Sequence, residues 1–317
     1  MLGKKHRAFL HRTHSSGDDA GAVLVMTALF LVVLLGFSAL VIDVGLLYIN
    51  RLALVNAVDA AALAGVQDLP YSPTMAIENA KRYAATNGAD RDGVSVLVRD
   101  NDHEVQVTAF RDVHLYLARI FGRTEQRITA SATARVGSIR AYRGVVPFGI
   151  EAQDFIWGEQ YILKLDPHVE PGPFRGNFQA LALGGQGASD YEENLIYGYQ
   201  GVLEVGDWID TEPGNIRGKT IKAVRTRINQ CPHYPKCTWE HVEKGCSRVV
   251  ITPVIKSFQD AKGRSEKVEV VGFAAFFLEG TLQGSDSAVV GRFLPIVVTG
   301  ELGDAGDFGL RGYKLVK

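Results

Sequence analysis

The densest collection of reactive side chains lies between Cys231 and Cys246, where Cys231, His233, Cys237, His241 and Cys246 place five potential metal donors within 16 residues. Thiolate sulfur and imidazole nitrogen are the donors zinc prefers, yet the spacing C-x5-C-x8-C differs from the usual C-x2-4-C knuckle. These are the only three cysteines in the chain, too few for a disulfide framework to carry its stability. For a segment outside the cytoplasm, a disulfide pinning the loop is the first expectation, a bound metal the second and free thiols the third. One disulfide leaves one thiol over, available to join another subunit. In each case the loop reads as structural, and no catalytic cofactor is expected.

Other candidates are weaker. Gly184-Gly185-Gln186-Gly187 offers backbone amides to an anion but lacks the Lys-Ser/Thr of a phosphate loop, so a turn is expected. Thr211-Glu212-Pro213-Gly214-Asn215 sets a carboxylate ahead of a helix, where it caps the helix or meets a partner. Asp102-His103-Glu104 reads as a solvated turn. Trp157, Tyr197 and Trp208 are either core aromatics or the platform of a ligand-binding module. The chain holds no G-x-S-x-G, H-E-x-x-H or S-x-x-K, and Lys256 and Ser257 are adjacent, so they share no helical face. The expectation is therefore a protein that is not an enzyme, the alternative being a membrane-tethered hydrolase or ligand-binding protein acting on envelope polymers.

The elements that position these residues begin with an anchor. Ala22 to Ile42 runs 21 residues without a charge, which as a helix reaches about 31 Å and spans a bilayer core. Lys4, Lys5, Arg7 and Arg12 precede it, so the positive-inside rule puts residues 1–20 in the cytoplasm and the bulk of the chain outside the cytoplasmic membrane. The span is longer than the apolar core of a signal peptide, and Ala62-Leu63-Ala64 lies too far along to be its cleavage site. The bilayer is thus the first expected partner. Nucleic acid is excluded as a partner by charge, since 34 Lys and Arg balance 35 Asp and Glu.

Helical spacing continues past the span to Pro70. There Ala57, Ala60, Ala61, Ala64 and Gly65 form small-xxx-small pairs that admit a close backbone, either a second copy or the chain's own sheet. The sheet is the favoured partner, because Ile128 to Val136 alternates Ala130, Ala132 and Ala134 with polar residues. Gly21 and Gly45 mark the ends of the anchor segment. Asp43 is expected near the outer lipid interface, solvated or meeting a partner's positive group.

Within Gly21 to Pro70 the chain shows a Gly-Ala opening, an apolar span closed by Asp43-Val44-Gly45, then Asn50-Arg51, and the run from Asn56 to Gly65. This combination resembles the N-terminal module of the Tad (TadE/TadG-like) Flp pilus-assembly family. Gly176-Asn177-Phe178, Gly206-Asp207-Trp208, Thr211 to Asn215 and Val271 to Leu278 are similar to blocks of the C-terminal part of such proteins. The resemblance implies a minor, membrane-held component of a fimbrial or secretion machine, with other subunits of that machine as partners and no catalytic residues. Pilin-like subunits carry Glu five residues after the processing Gly, whereas here Met26 follows Gly21 and Asp18 and Asp19 precede it. An uncleaved accessory subunit is expected.

The fold class reads as α+β: a transmembrane anchor over 21–49, an α+β unit over 50–140 and a mainly-β sandwich or barrel over 141–317. In the first outer unit Ser72 and Pro73 open a helix that Asn87-Gly88 ends. Val94 to Val98 and Val105 to Ala109 read as strands, Val113 to Phe121 as a short helix closed by Gly122, and Ile128 to Val136 as a strand. This order gives a pilin-like arrangement of a long helix on an antiparallel sheet. Near Gly144 composition changes, with 24 of 34 Gly, 9 of 11 Pro and all three Trp in the last 174 residues. Frequent turns imply short strands, with Val268 to Leu278 central and one helix from Arg217 to Asn229.

Overall fold

The computed structural model describes residues 17–164, 175–212, 216–256, 267–282 and 288–316. The basic residues before Gly17, Pro213-Gly214-Asn215 and Ser257 lie outside the described residues. The first element, α1 (Gly17–Gly65), is one unbroken helix of 49 residues. Its window of highest mean hydropathy (2.8) has none of its residues buried, so it has the length and composition to cross a membrane. The second half is one-sided, with Leu54, Ala57, Val58, Ala61 and Ala62 fully buried.

The helix turns through Val66–Asp68 into α2 (Pro73–Thr86), whose buried face is Ala76, Ala80 and Ala84. Both helices lie on a sheet that begins with β1 (Val94–Arg99) and β2 (Glu104–His114) and continues in β3 (Glu125–Arg143). Alternation buries Val105, Val107 and Ala109 of β2 and Ala130, Ala132 and Ala134 of β3 beneath α1. Small side chains on both surfaces bring helix and sheet close together. The expected helix from Val113 is instead the end of β2, and only the 3-10 turn Ala118–Phe121 forms, closed by Gly122 at φ 78°. Its apolar residues stay exposed, so no core face holds a longer helix in place.

The second unit comprises β4 (Phe148–Glu151), β5 (Gln160–Lys164), β6 (Arg175–Ala180), α3 (Ala188–Tyr197), β7 (Val202–Glu204), β8 (Trp208–Asp210), α4 (Arg217–Asn229), β9 (Val249–Ile255), β10 (Lys267–Leu282), β11 (Ala288–Leu294), β12 (Ile296–Val298), β13 (Glu301–Leu302) and β14 (Leu310–Val316). Six strands close a ring in the order β11, β5, β6, β4, β9, β10 and back to β11, with β8 added outside on β10. The barrel-like expectation is met in this curled sheet, whose core stacks Phe155 on Phe293 at 4.0 Å, with Tyr161 and Phe276 each 4.9 Å from Phe293. Leu195 of α3 and Val224 of α4 join the same core. β10 is central, paired to β9, β11 and β8, and buried on both faces from Phe273 to Leu278.

The chain does not divide cleanly at residue 140. β3 runs through that point, pairing β7 at Ala141 to Arg143, while β14 returns to pair β3 from Thr133 to Ser138. The first sheet is therefore ordered β1, β2, β3, β14, β12. A third core, with Ile139, Leu181, Leu203, Ile255 and Phe273, lies at the junction of the two units.

Gly65 tests the close approach of α1 and α2, since a Cβ there would lie 2.7 Å from the Ala76 carbonyl oxygen and 2.9 Å from Ala80 Cβ. Gly65→Leu is expected to lower unfolding stability by about 2 kcal/mol through overpacking, read as a lower melting temperature of the detergent-solubilised chain. At Gly45 a Cβ meets nothing within 4 Å. Gly45→Ala is expected to be neutral or slightly stabilising.

Candidate functional sites: a collar at the end of the anchor and a thiol cluster

Asp43 is the first acidic residue after the apolar stretch, and it is only 5% exposed. Its carboxylate accepts hydrogen bonds from the backbone N–H groups of Tyr116 (2.9 Å), Leu117 (3.1 Å) and Ala118 (2.7 Å). These are the orphan donors at the start of the 3-10 turn, so Asp43 caps that turn from another element. The expectation of a solvated carboxylate, or one awaiting a partner's positive charge, is corrected: its partner is a loop of the same chain.

The capped turn presents Ile120 and Phe121, 79% and 87% exposed, between Arg119 and Arg123. On α1 itself Val44, Tyr48 and Leu52 form an exposed apolar stripe at i, i+4 spacing, with Ile49 beside it. One helical turn above Gly45, Asn50 accepts from Arg111 Nη1 at 3.2 Å, and Arg111 Nη2 donates to the Gly88 carbonyl. Arg111 thereby joins α1 to the end of α2. Gly21, at the start of the apolar stretch, is exposed with nothing within 4 Å of a Cβ. Ala57 and Ala61 are fully buried against the sheet and Gly65 against α2.

The loop between α4 and β9 brings four of the five sequence candidates together: Cys231, His233, Cys237 and Cys246 have donor atoms all within 4.8 Å of one another. His241 is left out; it is exposed, and its backbone is held in a tight turn with Thr238. Cys231 Sγ lies 3.6 Å from Cys246 Sγ, well beyond a disulfide bond of about 2.05 Å, and all three cysteines are free and buried. His233 Nδ1 lies 3.2 Å from Cys237 Sγ and 3.9 Å from Cys231 Sγ. Burial raises the Cys246 thiol, and its neighbours Cys237 and Cys231 raise it further. Burial also acts to raise Cys231, but the backbone N–H groups of Cys237 and His233 outweigh it and hold that thiol below its ordinary value.

Two residues that the sequence did not single out support this cluster. Glu243 donates its backbone N–H to Cys237 Sγ at 3.5 Å and sets a carboxylate oxygen 3.7 Å from His233 Nε2. Arg248 donates to the carbonyls of Cys237 and Leu278 while its guanidinium lies 4.5 Å over Phe277. A signal was available in the close sequence spacing of Glu243 to the cysteines, but only the folded loop turns it towards the imidazole.

The glycine loop and Glu212 resolve each other. Both Glu212 carboxylate oxygens accept the Gly187 N–H at 3.1 Å, at the N-cap of α3. The anion at these amides is the chain's own side chain, and the helix it caps is α3 rather than the α4 that follows it in sequence. Trp157 packs on Phe155 at 6.2 Å yet stays partly exposed, and Tyr197 and Trp208 are exposed on α3 and β8. Trp208 borders a shallow depression with Tyr199, Asp207 and Asp210.

The Asp43 contact predicts a graded response. Asp43→Ala removes the acceptor from three amides, and Asp43→Asn retains one acceptor oxygen. Amide exchange at Tyr116 to Ala118 is expected to rise about tenfold or more in Asp43→Ala and by less in Asp43→Asn, read by hydrogen-exchange mass spectrometry on the full chain.

The comparisons bear on the N-terminal third. Residues 21–68 match the Tad family model, described as Flp pilus-assembly TadE/G-like. Residues 49–134 match a second model, Tad_C, described as Tad-like Flp pilus-assembly. No curated protein and no solved structure matches the chain. The two matched segments overlap on the buried half of α1 and together span the apolar half of α1, the Asp43-capped turn, β1, β2 and the first half of β3, so residues 21–134 match Flp pilus-assembly families of the Tad type.

Proposed function

We propose that the protein is a single-pass, membrane-anchored accessory subunit of Flp (Tad-type) pilus assembly or the allied secretion machinery, acting by protein–protein interaction rather than catalysis. The observation that carries this reading is the coincidence of the two Tad matches with an exposed apolar helix whose upper half is locked into a folded domain. From Ala22 to Ile42 every described side chain is exposed, on all sides of the helix, so it has no solvent-compatible face and a bilayer supplies its environment. By the positive-inside rule Lys4, Lys5, Arg7 and Arg12 lie in the cytoplasm, and the domains beyond Asp43 lie outside.

The collar deepens the anchor. Asp43 fixes Ile120 and Phe121 at the level where the apolar stretch of α1 ends, and Arg119 and Arg123 flank them with charge suited to lipid phosphates. The domain then sits on the membrane surface through two contacts, the helix and this turn. The exposed stripe Val44, Tyr48 and Leu52 is the surface left for a neighbouring helix of the assembly.

Three measurements test the reading. Co-purification from detergent-solubilised membranes is expected to recover the ATPase and inner-membrane platform subunits of the pilus system; turnover of an envelope polymer by the chain, with no pilus subunit recovered, would overturn it. Protease added to protoplasts is expected to cut beyond residue 70, and full protection there reverses the orientation. In proteoliposomes carrying a photoactivatable phospholipid, the tryptic peptide 120–123 is expected to be crosslinked, and Asp43→Ala to reduce its yield several-fold.

A further inference from the structure

We propose that Cys231, His233, Cys237 and Cys246 form a closed four-coordinate site for a thiophilic divalent metal ion, Zn2+ by its ligand set, that cross-links the loop from Gln230 to Arg248 into a closed unit packed on the barrel wall. The inference is independent of the pilus reading, because residues 230–248 lie outside both family matches.

Three of the donor–donor distances are close to the edges of a coordination tetrahedron, and all four donor atoms lie within 4.8 Å of one another. With metal–sulfur bonds of about 2.3 Å and a metal–nitrogen bond of about 2.05 Å, tetrahedral angles place sulfurs about 3.8 Å apart and sulfur and nitrogen about 3.5 Å apart. The structure has 3.6 Å between Cys231 and Cys246 Sγ, and 3.2 Å and 3.9 Å from His233 Nδ1 to the sulfurs of Cys237 and Cys231. A disulfide would use two sulfurs and give no role to an imidazole nitrogen aimed at the third thiol. Three sulfurs and one nitrogen within 4.8 Å of one another make up the Cys3His set of structural zinc sites.

The surroundings agree. A histidine ligand is commonly oriented by a carboxylate at its other nitrogen, and Glu243 stands within ion-pair reach of His233 Nε2. The Glu243 backbone N–H directed at Cys237 Sγ stabilises thiolate charge. The three sulfurs are buried with Phe277 and Leu294, with Trp239 and Val242 packed against them. Thiolates without a cation are costly in such a place, and Zn2+ with three thiolates leaves one net negative charge beside the Arg248 guanidinium.

All four positions are taken by protein atoms, so the site has no open coordination position for substrate and its role is structural. The loop has no helix or strand between Asn229 and Val249. The metal cross-links this irregular segment to itself at four points, and the closed loop then packs on Phe277 of β10 and Leu294 of β11. Arg248 relays the same anchorage into the barrel through the Cys237 and Leu278 carbonyls.

The test uses the full chain purified in detergent without chelator. Elemental analysis is expected to find about one Zn2+ per chain. After chelation, Co2+ is expected to give thiolate-to-metal charge-transfer bands and the intense d–d bands of tetrahedral coordination, both bleached by Zn2+. All three thiols are expected to resist iodoacetamide with metal bound and to react after chelation. Cys246→Ser and His233→Ala should lower Co2+ affinity at least tenfold, Glu243→Gln about tenfold with the tetrahedral spectrum retained, and His241→Ala not at all. A metal-free chain with Cys231 disulfide-bonded to Cys246 and a single alkylatable thiol would overturn the proposal. So would a Co2+ spectrum without thiolate charge transfer, a result on the unmodified chain that does not depend on any variant folding.

Discussion

The folded part of the chain is built on one contact, the close apposition of the second half of α1 to its own sheet. Along its length α1 passes from an all-round apolar surface to a single buried face, and it does so with Ala57 and Ala61 against the sheet and Gly65 against α2, among the smallest side chains available. Small residues on α1 meet small residues on β3, so backbone packs nearly on backbone. A rod of 49 residues is about 74 Å long, and it is gripped at three heights: by the capped turn at Asp43, by Arg111 at Asn50, and by α2 at Gly65. A domain held at three levels of one helix cannot swivel about its anchor.

The second unit is fastened to the first by strand continuity. β3 carries Ala130, Ala132, Ala134 and Val136 into the core beneath α1 and Ile139 into the junction core, with Tyr142 packed against it. β14 and β12 then leave the barrel region to complete the first sheet. Three successive cores are linked in this way from helix to barrel, and a displacement at the barrel reaches α1 through β3 without crossing a flexible linker.

Local patterns were legible in the chain because their causes are local. The apolar run of α1, the Ala-rich face, the α2 boundaries at Pro73 and Gly88, the hairpin of β1 and β2, and α4 from Arg217 to Asn229 all follow from periodicity and turn residues. Helix α3 was hidden because its only fully buried apolar side chains are Tyr191 and Leu195 in a polar stretch. The return of β14 to β3, the meeting of Asp43 with Tyr116 to Ala118, and Glu212 turning back to α3 pair residues far apart in sequence, and no periodicity encodes them. At the thiol cluster, composition identified the donors, but selecting His233 over His241 needed the turn at Thr238 to His241 that faces the second imidazole outward.

The pairing of Arg311 with Ser138 has a consequence for biogenesis. During synthesis α1 and β3 emerge early, whereas the strand that covers one side of β3 is translated some 170 residues after it. Until then the nascent sheet presents β3 with an open edge, the kind of template on which extended segments of other chains dock. Completion of the sheet closes that edge from within, so the maturing polypeptide acts as its own final capping strand.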